Sequence, residues 1–188
     1  MIGVLVSGAG TNLQALLDAD LPIVAVASNN TKATALDRAA NAGIEAAAFP
    51  AVEFESRERR DAEMAEWFGE HGVELVVLAG YMHLLAAPFL ERFEGRILNV
   101  HPSLLPAFPG AHAVEDALAH GVKVTGATVH FVDEGVDTGP IVFQEAVEVR
   151  PDDTAAMLHA RIQEVEHRLL PRAVRLFLEG KLRPPVSA

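Results

Sequence analysis

The run Ile2-Gly3-Val4-Leu5-Val6 passes without a break into Ser7-Gly8-Ala9-Gly10-Thr11-Asn12, and Leu13 to Asp18 then carries a helical pattern. An all-apolar run of this length fits a strand covered on both faces, the habit of parallel sheets. Parallel strands need a crossover, and a helix usually supplies it, so this opening points to an α/β protein. The turn itself is an anion cradle. Its glycines let the backbone bend tightly and approach a ligand, and the amides and dipole at the helix start favour phosphate. Thr11 and Asn12 add side-chain donors or cap the helix. No glycine stands at position 13 to complete a dinucleotide fingerprint, and no P-loop lysine follows. A phosphate site and a merely tight structural turn both fit these residues.

The alternation continues. Ile23 to Ala27 reads as a second strand, Thr31 or Thr34 to Ala42 as a helix stopped by Gly43, and Ala46 to Phe49 is a short run that ends at Pro50. Ser56 opens an amphipathic helix with Met64, Trp67 and Phe68 inward and its charges on a solvated face. Leu75 to Ala79 and Ile97 to Val100 are further buried strands, and Val114 to His120 is a helix. Val122 to Val132 and Ile141 to Val149 are joined by only Asp133 to Pro140, which predicts an antiparallel pair. Asp152-Asp153-Thr154 caps a helix from Ala155 toward Gly180, with a bend expected at Pro171. The expectation is an open, mostly parallel twisted sheet with helices on both faces and an antiparallel strand pair toward the C-terminus. One domain spans 1–181, and 182–188 form a loose tail.

A chain of 188 residues can bury a sizeable core, and half its residues are hydrophobic. A formal charge of −11 argues against broad nucleic-acid or anionic-membrane binding. The absence of cysteine removes disulfides, thiolate catalysis and thiolate metal sites. The N-terminus lacks the basic flank and length of a signal peptide, and no apolar run is long enough to span a membrane. The expectation is a cytoplasmic protein, monomer or homodimer, with small-molecule partners.

Polar chemistry concentrates in Leu98-Asn99-Val100-His101-Pro102-Ser103-Leu104-Leu105-Pro106. Asn99 and His101 are two residues apart at a strand end, so both point to one face. In an open α/β sheet such ends gather with the loops that carry function. If Asp137 folds over the same place, its carboxylate favours the charged imidazole, which suits an oxygen gaining negative charge during attack on a carbonyl. Ser7 and Ser103 are hydroxyl candidates, but neither lies in a nucleophile elbow. His101, His112, His130 and Asp137 lack tight metal-ligand spacing, so no metal is expected. The stretch Gly80-Tyr81-Met82-His83-Leu84-Leu85 could line a pocket for a flat ligand or pack in the core.

The Leu98–Pro106 segment, with Asp137-Thr138-Gly139-Pro140-Ile141, resembles the folate-dependent formyltransferases. The turn Ser7 to Leu13 narrows the resemblance to those acting on phosphoribosylglycinamide in purine biosynthesis. Gly80-Tyr81-Met82, Gly126 to His130 and Gln163 to His167 also fit, so the likeness covers essentially the whole chain. It implies a formyl-group transferase that uses 10-formyltetrahydrofolate and no metal. Asn99, His101 and Asp137 match the catalytic residues. Gly10, Thr11, Asn12, Leu13, Gln163 and Glu166 match the phosphoribosylglycinamide site. Met82, His83, Leu84, Leu85, Asn99 and Asp133, Glu134, Gly135, Val136 and Asp137 match the folate site. Two positions depart from the pattern. His83 stands where an arginine commonly follows the methionine, and Ala62 stands where a basic residue is expected, with Arg59 and Arg60 displaced from it.

Other readings are a formyltetrahydrofolate hydrolase, a methionyl-tRNA formyltransferase and a catalytically silent nucleotide-binding module. The first usually carries an extra N-terminal domain, which the direct entry of Met1 into a strand argues against. The second normally needs a basic RNA-binding domain, against the acidic balance of this chain.

Overall fold

The computed structural model describes residues 1–184. Its strands are β1 (Ile2–Val6), β2 (Ile23–Ser28), β3 (Glu45–Ala48), β4 (Leu75–Leu78), β5 (Ile97–His101), β6 (Val124–Phe131) and β7 (Ile141–Glu148). The helices are α1 (Thr11–Asp18), α2 (Thr34–Asn41), α3 (Arg57–Glu70), α4 (Ala87–Arg92), α5 (Ala113–His120) and α6 (Ala155–Leu178). The seven strands have the order β3-β2-β1-β4-β5-β6-β7 in one sheet. The expected mostly parallel sheet with a C-terminal antiparallel pair is therefore the architecture observed. By packing, the chain divides into two compact units, Met1–Leu98 and the residues from Asn99 onward.

In the first unit β1 pairs in parallel with both β2 and β4, and β2 with β3. All five residues of β1 and all four of β4 are buried, as their unbroken apolar sequence requires. Ser56 caps α3 by accepting the Arg59 N–H at 3.1 Å. Met64, Ala65 and Phe68 face the core, where Phe68 meets Phe89 and Phe93 edge-on at 6.1 and 6.4 Å. Trp67, expected inward, is half-buried and edges against Phe49 at 5.8 Å. The solvated charged face expected for α3 needs correction. Arg60 and Asp61 are fully buried, because they fall on the same stripe as Met64, Ala65 and Phe68. The short α4 is new; six residues around Pro88 leave too little periodicity to read.

In the second unit β6 and β7 pair antiparallel from Val124↔Glu148 to His130↔Ile141, with a register shift between Val129 and His130. Thr154 caps α6 by accepting the Met157 N–H at 3.2 Å. This helix continues through Pro171 for 24 residues and buries Leu158, Ile162, Leu169 and Val174. No regular structure is assigned to 181–184; the remainder of the expected tail lies outside the described residues. Among the described residues no helix is long and apolar enough to cross a membrane.

Candidate active site

The glycine turn of the first unit is built as a helix entry. Gly10 is the N-cap of α1, with φ 71°. A Cβ there would stand 2.6 Å from the Ala35 Cβ, so only glycine fits. Gly8 faces open space. The turn is braced from α2, whose Ala35 N–H donates to the Gly8 carbonyl at 3.1 Å and whose Arg38 Nε donates to the Ala9 carbonyl at 2.8 Å. Arg38 Nη1 also donates to Gln14 Oε1 at 3.0 Å. Arg38 thus places a cation beside the turn, and nothing in the local motif announces it. Asn12 and Leu13 have buried side chains, so Leu13 can meet a ligand only through its backbone.

Ser7 leads from the turn to the Met82–Leu85 segment. Its hydroxyl donates to Asn29 Oδ1 at 2.5 Å and accepts the Met82 N–H at 2.9 Å. At the far end Asp61 Oδ2 accepts the Ala86 N–H at 2.7 Å. The segment is a strap fastened at both ends. Between those fastenings Met82 is 61% and Leu84 55% exposed, and His83 is exposed as well. Of the two readings left open for Gly80–Leu85, core packing applies only to Tyr81. The Tyr81 hydroxyl is pushed up to about 12 by burial, with Asp61 adding to the shift and Arg60 opposing it, and it stays neutral.

In the second unit β5 delivers Asn99 and His101, and the β6–β7 connection delivers Asp137. The three meet. Asp137 Oδ2 lies 3.4 Å from His101 Nδ1 and accepts the Gly110 N–H at 2.8 Å. Asn99 Nδ2 lies 3.5 Å from Asp137 Oδ1. His101 Nε2 donates to the Phe108 carbonyl at 2.8 Å, so both ring nitrogens face acceptors. Phe108 and Asp137 have φ of 51° and 54°, left-handed values that non-glycine residues rarely adopt. Burial alone would raise the Asp137 carboxyl. Hydrogen bonding with His130, the Gly110 N–H and the nearby imidazoles outweigh it and hold the group below its ordinary value.

His130 is the fourth member, given no catalytic or binding role by its position in the sequence. Its Nδ1 donates to the Phe131 carbonyl at 2.7 Å, while its Nε2 lies 3.1 Å from Asn99 Nδ2 and 3.6 Å from Asp137 Oδ1. The register shift beside it re-aims the side chain at a strand end. Ser103 is engaged elsewhere, its buried hydroxyl donating to the Ala107 carbonyl at 2.6 Å and closing the proline loop. Thr128 Oγ1 donates to the Ser103 carbonyl at 2.7 Å and accepts the Leu105 N–H at 3.1 Å, tying that loop to β6. Asp133 Oδ1 accepts from Gly135 N–H at 3.0 Å and Thr138 Oγ1 at 2.7 Å. The connection carrying Asp137 is thereby a formed turn, with Val136 exposed. Gln163 and Glu166 lie one turn apart on α6, Glu166 buried. Among the described residues no group of three or more His, Asp or Glu is arranged to hold a metal ion.

A family model described as "Formyl transferase" matches residues 1–174. A protein named phosphoribosylglycinamide formyltransferase, from Mycobacterium tuberculosis, is 48% identical over 175 residues, covering 91% of this chain and 81% of its own. The trifunctional purine biosynthetic protein adenosine-3 of Drosophila melanogaster is 44% identical over 197 residues. That alignment takes in 100% of this chain but 15% of the relative, so the chain spans about 15% of that curated relative's length. Among solved structures, glycinamide ribonucleotide transformylase 1 from Symbiobacterium toebii superposes with a TM-score of 0.93 at 52% identity, over 95% of this chain and 87% of that one. Phosphoribosylglycinamide formyltransferase from Streptococcus pneumoniae TIGR4 gives 0.91 at 43% identity, over 94% and 98%.

Proposed function

Because the chain belongs to the phosphoribosylglycinamide formyltransferase family, we propose that it carries a formyl group from 10-formyltetrahydrofolate to the amine of phosphoribosylglycinamide in purine biosynthesis. The observation that carries this reading is the cluster of Asn99, His101 and Asp137, in which a carboxylate held ionised faces an imidazole at 3.4 Å.

The substrate amine attacks the formyl carbon, and a tetrahedral oxyanion forms. The Asn99 amide and the imidazolium of His101 stabilise that oxygen. Of the two His101 contacts the Nδ1 one is looser, 3.4 Å against 2.8 Å at Nε2, so Nδ1 is the nitrogen open to substrate with the ring held where it stands. The attacking nitrogen loses a proton, the folate nitrogen gains one as its bond to carbon breaks, and His101 with Asp137 relays it. No covalent enzyme intermediate is required, since holding two substrates together supplies much of the rate.

Gly10, Thr11, Asn12 and the Leu13 backbone take the substrate's phosphate, supported by the turn geometry and the Arg38 cation. Gln163 and Glu166 take its glycinamide or ribose end, a role that rests on the family resemblance. The 82–85 strap, Asn99 and the 133–137 turn take the folate, supported by the exposure of Met82, Leu84 and Val136. Residues 1–181 act as one catalytic domain, supported by the family match over 1–174. The reaction runs in the cytoplasm, in a monomer or homodimer, with small molecules and neither nucleic acid nor membrane as partners. The acidic balance of the chain supports the exclusion of nucleic acid. The test is a single assay of formyl transfer to phosphoribosylglycinamide against hydrolysis of the folate alone. Hydrolysis without transfer overturns the reading in favour of a hydrolase, and binding without product in favour of a silent module.

A further inference from the structure

Arg60 and Asp61 form a buried ion pair beneath the strap, 2% and 0% exposed. Arg60 Nε and Nη2 both lie 2.7 Å from Asp61 Oδ1, while Asp61 Oδ2 holds the Ala86 N–H. Burying such a pair costs desolvation that the mutual attraction often fails to recover, so stability alone does not explain it. The remaining Arg60 nitrogen, Nη1, lies 3.2 Å from His83 Nδ1. A guanidinium has donors and no acceptor. The contact is a hydrogen bond only if Nδ1 presents its lone pair, which puts the ring proton on Nε2.

Resting on the function proposed above, we propose that Arg60 fixes His83 as an Nε2–H donor and that this donor recognises an acceptor oxygen of the folate. His83 is then a specificity-determining residue and Arg60 its positioning residue. The imidazole sits on a segment fastened at Met82 and Ala86, between two exposed apolar side chains, so one defined donor stands within an apolar platform. A folate offers both faces of that match, a flat ring system and oxygens on its pterin, formyl and glutamate ends. The family resemblance expects cations at 83 and near 62. This chain has His83 and Ala62, and keeps its cation one layer deeper, acting through the imidazole.

The test uses the full chain and three variants: His83→Phe, the neutral pair Arg60→Met with Asp61→Asn, and Arg60→Lys. The asparagine keeps an acceptor for the Ala86 N–H, which guards against simple unfolding. Nitrogen-15 NMR of His83 reads the tautomer directly. The wild type and Arg60→Lys are expected to show Nε2–H, and the neutral pair a mixture of tautomers. Titration with 10-formyltetrahydrofolate is expected to weaken about tenfold in His83→Phe, the size of one hydrogen bond to a strong acceptor. The neutral pair shifts in the same direction, and KM for the folate rises far more than kcat falls. An Nδ1–H tautomer in the wild type, or unchanged folate affinity in His83→Phe, overturns the proposal. Repeating the titration with 10-formyltetrahydropteroate, which lacks glutamate, separates the sources. A penalty that vanishes assigns the acceptor to the tail carboxylate, and one that persists assigns it to the pterin or formyl oxygens. A wild type that binds folate but transfers no formyl group refutes the proposed function while leaving the His83 result readable.

Discussion

The Ser7 hydroxyl accepts the Met82 N–H at 2.9 Å, joining the glycine turn to a strap 75 residues away through one oxygen. The same oxygen donates to Asn29, so its direction is fixed. Two binding segments of the proposed reaction therefore share a support, and disturbing it disturbs both.

Ser7→Ala is expected to raise KM for both the folate and phosphoribosylglycinamide. It leaves the Met82 N–H without this partner and lowers stability by about 1–2 kcal/mol. Steady-state kinetics with each substrate varied, beside urea denaturation, measures both effects. A change in one KM alone would show that the shared support does not couple them.

Gly10→Ala is expected to destabilise by more than about 1 kcal/mol. It adds a left-handed backbone penalty to a 2.6 Å approach to Ala35. Gly8→Ala, with open space around its Cβ, is the matched control and should lose far less stability. Thermal melts of the two variants side by side check the difference.

His101→Ala and Asp137→Ala are each expected to lower kcat by about 10²–10³ while circular dichroism stays native. Near-normal turnover in both would remove the catalytic assignment. Their double variant should lose little beyond the worse single one, since the two groups act as a unit.

The lowered Asp137 carboxyl predicts a direction in acid. Its native value lies below its unfolded value of about 3.9, so its contribution is complete above that pH and is lost as pH falls through the native value. Asp153, held at about 2 by its hydrogen bond with Arg161, carries the same trend further into acid. Asp137→Asn should therefore flatten the fall in denaturation midpoint below pH of about 4. A wild-type slope unchanged by the substitution would contradict it.

Strands and the antiparallel pair are legible in the sequence because buried parallel strands and short connections leave plain traces, as Ile2–Val6 and Asp133–Pro140 show. The Asn99–His101 spacing is legible for the same reason. Arg60 and Asp61 read as solvent-facing because their charge outweighs their position, although their place on the Met64–Phe68 stripe marks them as inward. Other features depend on backbone atoms of distant residues. The Phe108 carbonyl and the Gly110 N–H belong to no side-chain pattern, and Arg38 reaches the glycine turn from another helix. His130 takes its place through a register shift that local propensity does not encode.

Phe108 and Asp137, two residues in left-handed backbone, aim acceptors at opposite nitrogens of His101. Such conformations persist only where the surrounding fold over-determines them. The imidazole is therefore oriented by the whole of its loops before any substrate arrives, and little reorganisation remains for the moment of reaction. Part of the catalytic machinery therefore lies in backbone atoms, the Phe108 carbonyl and the Gly110 N–H, which hold the imidazole and its carboxylate in place.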